Sequence, residues 1–215
     1  MKATDFFPDS RVADLAETAA DGKSESVDRA IARGANPNTE GKDGVTPLLY
    51  VLASTRNKDG LRALLRGGAD PNRIAPNGFC PLILSARAKD PEFLAVMLAG
   101  RGDPNLKNRD GSPVLHLAGT DERWDNVRLL IDSGADMNAT DPIGNTLAMN
   151  LAIYRNYEQV FWLLSKGADV HVTTKNGDTL PAIIKRATVK PGRPNVQWRE
   201  KVILFLAQKG VSLPD

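Results

Sequence analysis

The phrase Gly68-Ala69-Asp70-Pro71-Asn72 constrains the fold of this chain more than any other feature, because it is one of five near-copies. The others are Gly34-Ala35-Asn36-Pro37-Asn38, Gly102-Asp103-Pro104-Asn105, Gly134-Ala135-Asp136-Met137-Asn138 and Gly167-Ala168-Asp169-Val170-His171, and their last residues are spaced by 34, 33, 33 and 33. Between them a second glycine series, Gly44, Gly78, Gly111, Gly144 and Gly177, keeps the same intervals. Its neighbours Asp43, Asn77, Asp110 and Asn176 are turn formers, and glycine supplies the positive φ that a tight β-turn needs. A period this regular means a supersecondary unit copied in tandem.

Between the turns, apolar residues recur at helical spacing. In "TLAMNLAIY" Leu147, Leu151 and Ala152 share one face, and in "YEQVFWLLSKG" Val160, Leu163 and Leu164 share another. A similar pair of segments lies between Thr46 and Gly68. Helices of about two to three turns are too short to hold alone in water, so each pair must bury its faces against neighbouring pairs. The expected architecture is an all-α repeat solenoid in one domain. A hydrophobic content of 41% with 6% aromatic fits small stacked helices, and 25% charged residues keep the outside wet.

With turns and helices in this order, "DGVTPLLYVLA…LRALLRGGADPN" resembles the ankyrin repeat, and the likeness covers essentially the whole chain. Thr46-Pro47-Leu48 is the fullest copy of the signature Thr-Pro-Leu-His; Pro81-Leu82 and Leu115-His116 keep part of it, and Thr146 and Thr179 keep the threonine. The resemblance implies helix pairs with β-hairpin tips, in units at 6–40 (an N-terminal cap), 41–74, 75–107, 108–140, 141–173 and 174–215 (a C-terminal cap). The first unit carries polar Asp14, Glu17 and Thr18, as an end repeat facing water should. In the last, Pro191, Gly192 and Pro194 mark an inserted loop at about 188–197. Threonine caps a first helix and proline opens it, while Gly34, Gly68, Gly134 and Gly167 end the second helices. At the third junction Arg101 stands in the glycine place, and a slightly altered turn is expected.

No motif for catalysis stands out, so the chain reads as a non-enzyme with no cofactor and no metal. Gly22-Lys23-Ser24 ends like a phosphate-binding loop, but Glu17 occupies the place of that loop's first glycine. In register, Gly22 is instead the turn between the first unit's two helices. His116 holds the signature's histidine position, where the resemblance implies a structural role tying neighbouring loops, and His171 replaces a turn asparagine. With two histidines and one cysteine, Cys80, neither a His-based triad nor a zinc site is expected. A net charge of +2 is too balanced to make nucleic acid or an anionic membrane the partner. The start "MKATDFFPDSRVADL" shows no apolar h-region, and no apolar run is long enough to span a bilayer. Localisation stays open between the periplasm, if an export signal has been removed, and the cytoplasm.

A stack of such units curves, and the resemblance implies that proteins are bound on its concave face. The candidate contacts are Lys42, Arg73, Asn77, Phe79, Lys107, Arg109, Ile143, Asn145 and Lys175 at the tips. Arg87, Thr120, Asp121, Ile153 and Tyr154 join them at the ends of the first helices. Both charge signs with a few apolar anchors is the composition of a protein interface. Phe161, where the repeat usually has an outward polar residue, is a candidate exposed contact. The basic run Lys185, Arg186, Lys190, Arg193, Arg199 and Lys201 is either a solvated loop or a contact for an acidic partner. The segments "FFPD", "VADLAETA" and "WREKVILFLAQKGV" resemble bacterial ankyrin immunity proteins that stand beside type VI secretion lipase effectors. That likeness implies a phospholipase-type partner, neutralised sterically by a chain that is a monomer when free. The alternative is an ankyrin scaffold or regulatory adaptor with a different protein partner.

Overall fold

The computed structural model describes residues 2–187 and 194–214. Among these, the α-helices form successive pairs: α1 (Ser10–Ala20) with α2 (Ser24–Ala32), α3 (Pro47–Ala53) with α4 (Lys58–Arg66), and α5 (Pro81–Arg87) with α6 (Glu92–Ala99). Then come α7 (Val114–Thr120) with α8 (Trp124–Asp132), α9 (Leu147–Ile153) with α10 (Tyr157–Ser165), and α11 (Leu180–Arg186) with α12 (Pro194–Gln208). The first members pack on one another in one row, from α1 through α11; α2, α4, α6 and α8 form a second, and α12 lies on α10. Among the described residues there is no strand, only isolated bridges such as Lys107 to Pro113 and Thr140 to Thr146 at the tips.

Local chemistry sets these boundaries. The hydroxyls of Thr46, Thr146 and Thr179 accept from the amides of Leu49, Met149 and Ala182 at 3.3, 3.3 and 3.4 Å, closing the starts of α3, α9 and α11. Cys80 and Pro113 take that place without a side-chain cap. There α5 and α7 rely on packing, with Leu82 and Leu115 buried in the core. Four second helices end at left-handed glycines, with φ of 93°, 90°, 94° and 98° at Gly34, Gly68, Gly134 and Gly167. Arg101 keeps the left-handed turn at φ 69°. The alteration falls on Gly102, where a Cβ would lie 2.8 Å from both a Leu82 methyl and the Met97 carbonyl oxygen.

The repeated phrase is an inter-unit clamp. Within each copy the acidic or amide side chain folds back on the chain, as Asp70 Oδ1 does in accepting from the Asn72 amide at 2.9 Å. The closing asparagine then reaches forward. Asn38 Nδ2 donates to the Gly68 carbonyl at 2.8 Å while its Oδ1 accepts from the Asp70 amide at 2.7 Å. Asn72 repeats this on Arg101 and Asp103, and Asn105 on Gly134 and Asp136. Asn138 accepts from the Asp169 amide at 2.8 Å, and with His171 in the next asparagine place the ladder ends among the described residues. Asn105→Ala removes two such bonds at about 1 kcal/mol each. Because a solenoid's stability is a sum of units and nearest-neighbour interfaces, the urea transition should move to lower concentration and broaden. An unchanged transition would show that the clamp contributes nothing.

Both ends depart from the regular unit. Phe6 and Phe7 close edge-on upon Tyr50, with ring centroids 5.9 and 6.2 Å away. Glu17, expected to face water, is partly buried: its Oε1 accepts from the Ala3 amide at 2.6 Å and from the Tyr50 hydroxyl at 3.2 Å. Burial and this carboxylate push the Tyr50 hydroxyl up to about 12. At the other end, the expected loop at about 188–197 is helix from Pro194 onward, and 188–193 lie outside the described residues. The helix explains Phe161, which is not an open contact: its ring meets Trp198 at 5.7 Å and Phe205 at 5.8 Å, since the last helix covers the apolar side of α10. The basic run is largely occupied as well. Arg199 donates to the Ile184 carbonyl at 2.9 Å, Arg186 pairs with Asp178 at 2.8 Å, and Lys201 lies 3.9 Å over the Trp198 ring. Lys190 and Arg193 lie outside the described residues.

Candidate protein-binding face

Each tip is the same small hairpin. The amides of Gly41, Ala75, Asn108, Asp141 and Thr174 donate across it to the carbonyls of Val45, Phe79, Ser112, Asn145 and Asp178, at 2.7 to 2.9 Å. Adjacent tips touch. Arg109 donates to the Pro76 carbonyl, the Lys175 amide donates to that of Ile143 at 3.3 Å, and a Cβ on Gly44 would sit 2.2 Å from the Pro76 ring. The tips therefore form a continuous row beside the first-row helices, and the two together make one face.

On that face four large apolar side chains stand open: Phe79 at 53% and Ile143 at 62% exposure on the tips, with Ile153 at 44% and Tyr154 at 73% at the end of α9. Two hollows open between tips and helices. The larger, about 750 Å³, has Leu49, Leu84 and Phe93 in its wall with Phe79 and Asn77 above. The smaller, about 370 Å³, lies between Ile143, Ile153 and Ile183. The wall of the larger hollow is mostly apolar, the usual form of a recognition site, while the smaller mixes its isoleucines with Arg155, Asn176, Asp178 and Arg186.

Lys42, Arg73, Asn77, Lys107, Arg109, Thr120 and Lys175 are exposed along this row. Arg73 is already paired with Glu40, and Arg87 with Asp121 at 2.7 Å, so these join units as well as facing outward. Asn145 is a correction: it is only 5% exposed. Its amide donates to Asp141 Oδ1 at 2.9 Å and its Nδ2 to Asn150 Oδ1 at 3.0 Å, so it braces a tip against α9. Leu49, Leu84 and Phe93 escape a reading that assigns helical apolar residues to the core. Arg56 and Lys89, which also line the larger hollow, could have been found from their register.

The opposite side also has a hollow, of about 700 Å³, along α4 and α6 between Leu65, Arg66, Val96 and Arg101, but Phe79, Ile143, Ile153 and Tyr154 all stand on the tip side. Arg66 meets Asp28 at 3.4 Å and Arg62 meets Glu92 at 2.6 Å, joining successive second-row helices. Trp162 is covered by Arg128 and Lys166, at 5.8 and 5.9 Å from its ring. Among the described residues no group of three or more His, Cys, Asp or Glu side chains could hold a metal ion, and no helix is long and apolar enough to cross a membrane.

His116 is a strut. Its Nε2 lies 2.9 Å from the Ala139 carbonyl and its Nδ1 3.4 Å from Asn150 Nδ2. Burial holds its pKa below the ordinary value, opposed by the Ala139 carbonyl and Asp141 and assisted by Lys107. The unfolded chain therefore binds the proton more readily, and its contribution to stability falls as pH drops below about 6.5. Wild-type protein should lose melting temperature between about pH 7.5 and 5.5, and His116→Asn should flatten that slope. Identical slopes for the two proteins would refute the assignment.

This architecture is the ankyrin-repeat fold. Residues 82–176 match the family described as "Ankyrin repeats (3 copies)". Among solved structures, the chain is similar to EF0377, an ankyrin repeat protein, at 24% identity and a TM-score of 0.69, covering 92% of this chain and 98% of that one. It is also similar to the ankyrin repeat domain of Bcl-3, a member of the IkappaB protein family, at 23% identity and a TM-score of 0.72, covering 92% and 86%. No curated protein matches the sequence.

Proposed function

We propose that the chain is a non-enzymatic protein-binding module that holds a folded partner against its tip face. The observation that carries this reading is the gathering of Phe79, Ile143, Ile153 and Tyr154, all exposed, on one face that also holds a large apolar hollow and a smaller one of mixed lining. Exposed aromatic and aliphatic anchors framed by charge are what dominate protein interfaces. Ankyrin repeats serve as protein-binding scaffolds, and the fold supports that general role. The finer reading is that the partner is a secreted phospholipase-type toxin effector, blocked sterically by an immunity protein. It rests on the likeness of the chain's terminal segments to such proteins. A scaffold or adaptor with another protein partner is the alternative.

Co-expression with a phospholipase-type effector, if one is encoded beside this chain, followed by size exclusion and a lipase assay, tests the finer reading. A stable one-to-one complex without lipase activity is expected. Separate elution with full lipase activity would remove the effector and leave the adaptor, whose partner affinity capture would then identify.

A further inference from the structure

Counted back from the closing residue of each unit, Gly22, Arg56, Lys89, Glu122 and Arg155 occupy one register, between the two helices of a pair. The backbone there is left-handed at four of them, with φ of 76° at Gly22, 55° at Arg56, 58° at Glu122 and 64° at Arg155. Glycine accepts that conformation freely, while a residue with a Cβ is disfavoured. Three units nevertheless place a long charged side chain at this strained point. Strain kept at a surface turn points to recognition, because folding alone would be better served by glycine. Arg56 and Lys89 line the larger hollow, and Arg155 lines the smaller.

Charge on this side is unbalanced in one direction. Its carboxylates are largely consumed within the chain: Asp121 by Arg87, Asp90 by Lys58, Asp178 by Arg186 and Glu40 by Arg73. Arg56 and Lys89 have no carboxylate partner among the described residues, and the Arg56 guanidinium lies 6.0 Å over the Phe93 ring. Of the hollow's two acids Asp90 pairs with Lys58, and Asp43 has no cation partner among the described residues. An apolar wall beside two unneutralised cations favours an occupant with the opposite charge.

We propose that the larger hollow takes an acidic, leucine- or phenylalanine-bearing segment of a partner protein. Its apolar side chain enters between Leu49, Leu84 and Phe93, and its carboxylates meet Arg56 and Lys89. This rests on the tip face being the protein-binding face.

The test uses ¹⁵N-labelled full chain and three probes: a short synthetic peptide of mixed glutamate and leucine, its lysine-for-glutamate counterpart, and a short single-stranded oligonucleotide. The acidic peptide should shift the amides of Phe79, Leu84 and Phe93, and the lysine peptide should leave them in place. Arg56→Gly with Lys89→Gly should weaken the acidic peptide by about tenfold. Relief of the left-handed turn in Arg56→Gly alone should hold or raise the melting temperature by about 2 to 4 °C. A purely structural arginine would do the reverse, lowering the melting temperature and sparing affinity. Equal binding of the lysine peptide, tighter binding of the oligonucleotide, shifts confined to the second-row helices, or no binding would each overturn the acidic occupant. None of these touches the wider reading, which fails only if a captured partner ignores substitutions at Phe79, Ile143 and Tyr154.

Discussion

Gly60→Ala is expected to lower the melting temperature by about 6 to 12 °C. Gly60 lies near the start of α4, where that helix crosses α1. A Cβ there would stand 1.8 Å from the Ala19 carbonyl oxygen and 2.6 Å from its carbon. Those are backbone atoms of a packed helix, so no rotamer change relieves the clash, and the two pairs must separate. Overpacking of this kind costs about 3 kcal/mol, which for a domain of this length is the quoted shift. Alanine is otherwise the better helix former, so the sign of the result decides between propensity and approach. A rise in melting temperature would mean that α1 and α4 do not approach as described.

The second large effect concerns affinity. Phe79→Ala, Ile143→Ala and Tyr154→Ala combined should weaken a captured partner by on the order of a thousandfold, about tenfold for each anchor. Folding should be nearly untouched, because all three side chains are more than half exposed. The melting temperature should move by no more than about 2 °C. Calorimetric titration beside a thermal melt separates the two quantities. Lost stability with kept affinity would place these residues in packing instead of recognition.

Much of the fold was legible because the period repeats its own evidence. Gly68 and Gly44 each belong to a series, and the conformation required at one member is required at the others. His116 was readable for the same reason, as a signature position whose ring meets the Ala139 carbonyl at the far end of its unit. Residues outside the period were not legible. Asn145 follows the tip glycine, as Val45 and Phe79 do in their units, but its burial depends on Asn150, an individual residue with no counterpart in the other copies. Phe161 reads as outward until α12, longer than its counterparts, folds over it. Glu17 looks solvated until the first residues of the chain close upon it. The site was legible as a face but not as a shape, since Leu49, Leu84 and Phe93 resemble core residues in any linear reading. Arg56 carried a usable signal, because Gly22 marks its register as a left-handed turn, and Lys89 shares that register without the left-handed backbone.

The proposed binding face is that of the tips and first-row helices. Hydrogen exchange on the chain, free and bound to a captured partner, tests it most directly. Slowed exchange is expected at the tips around Val45, Phe79, Ser112 and Ile143, at the ends of α3, α5 and α9 and at Phe93 in the first turn of α6, with α4, α8 and the rest of α6 unchanged. Protection of those second-row helices with unaltered tips would contradict it.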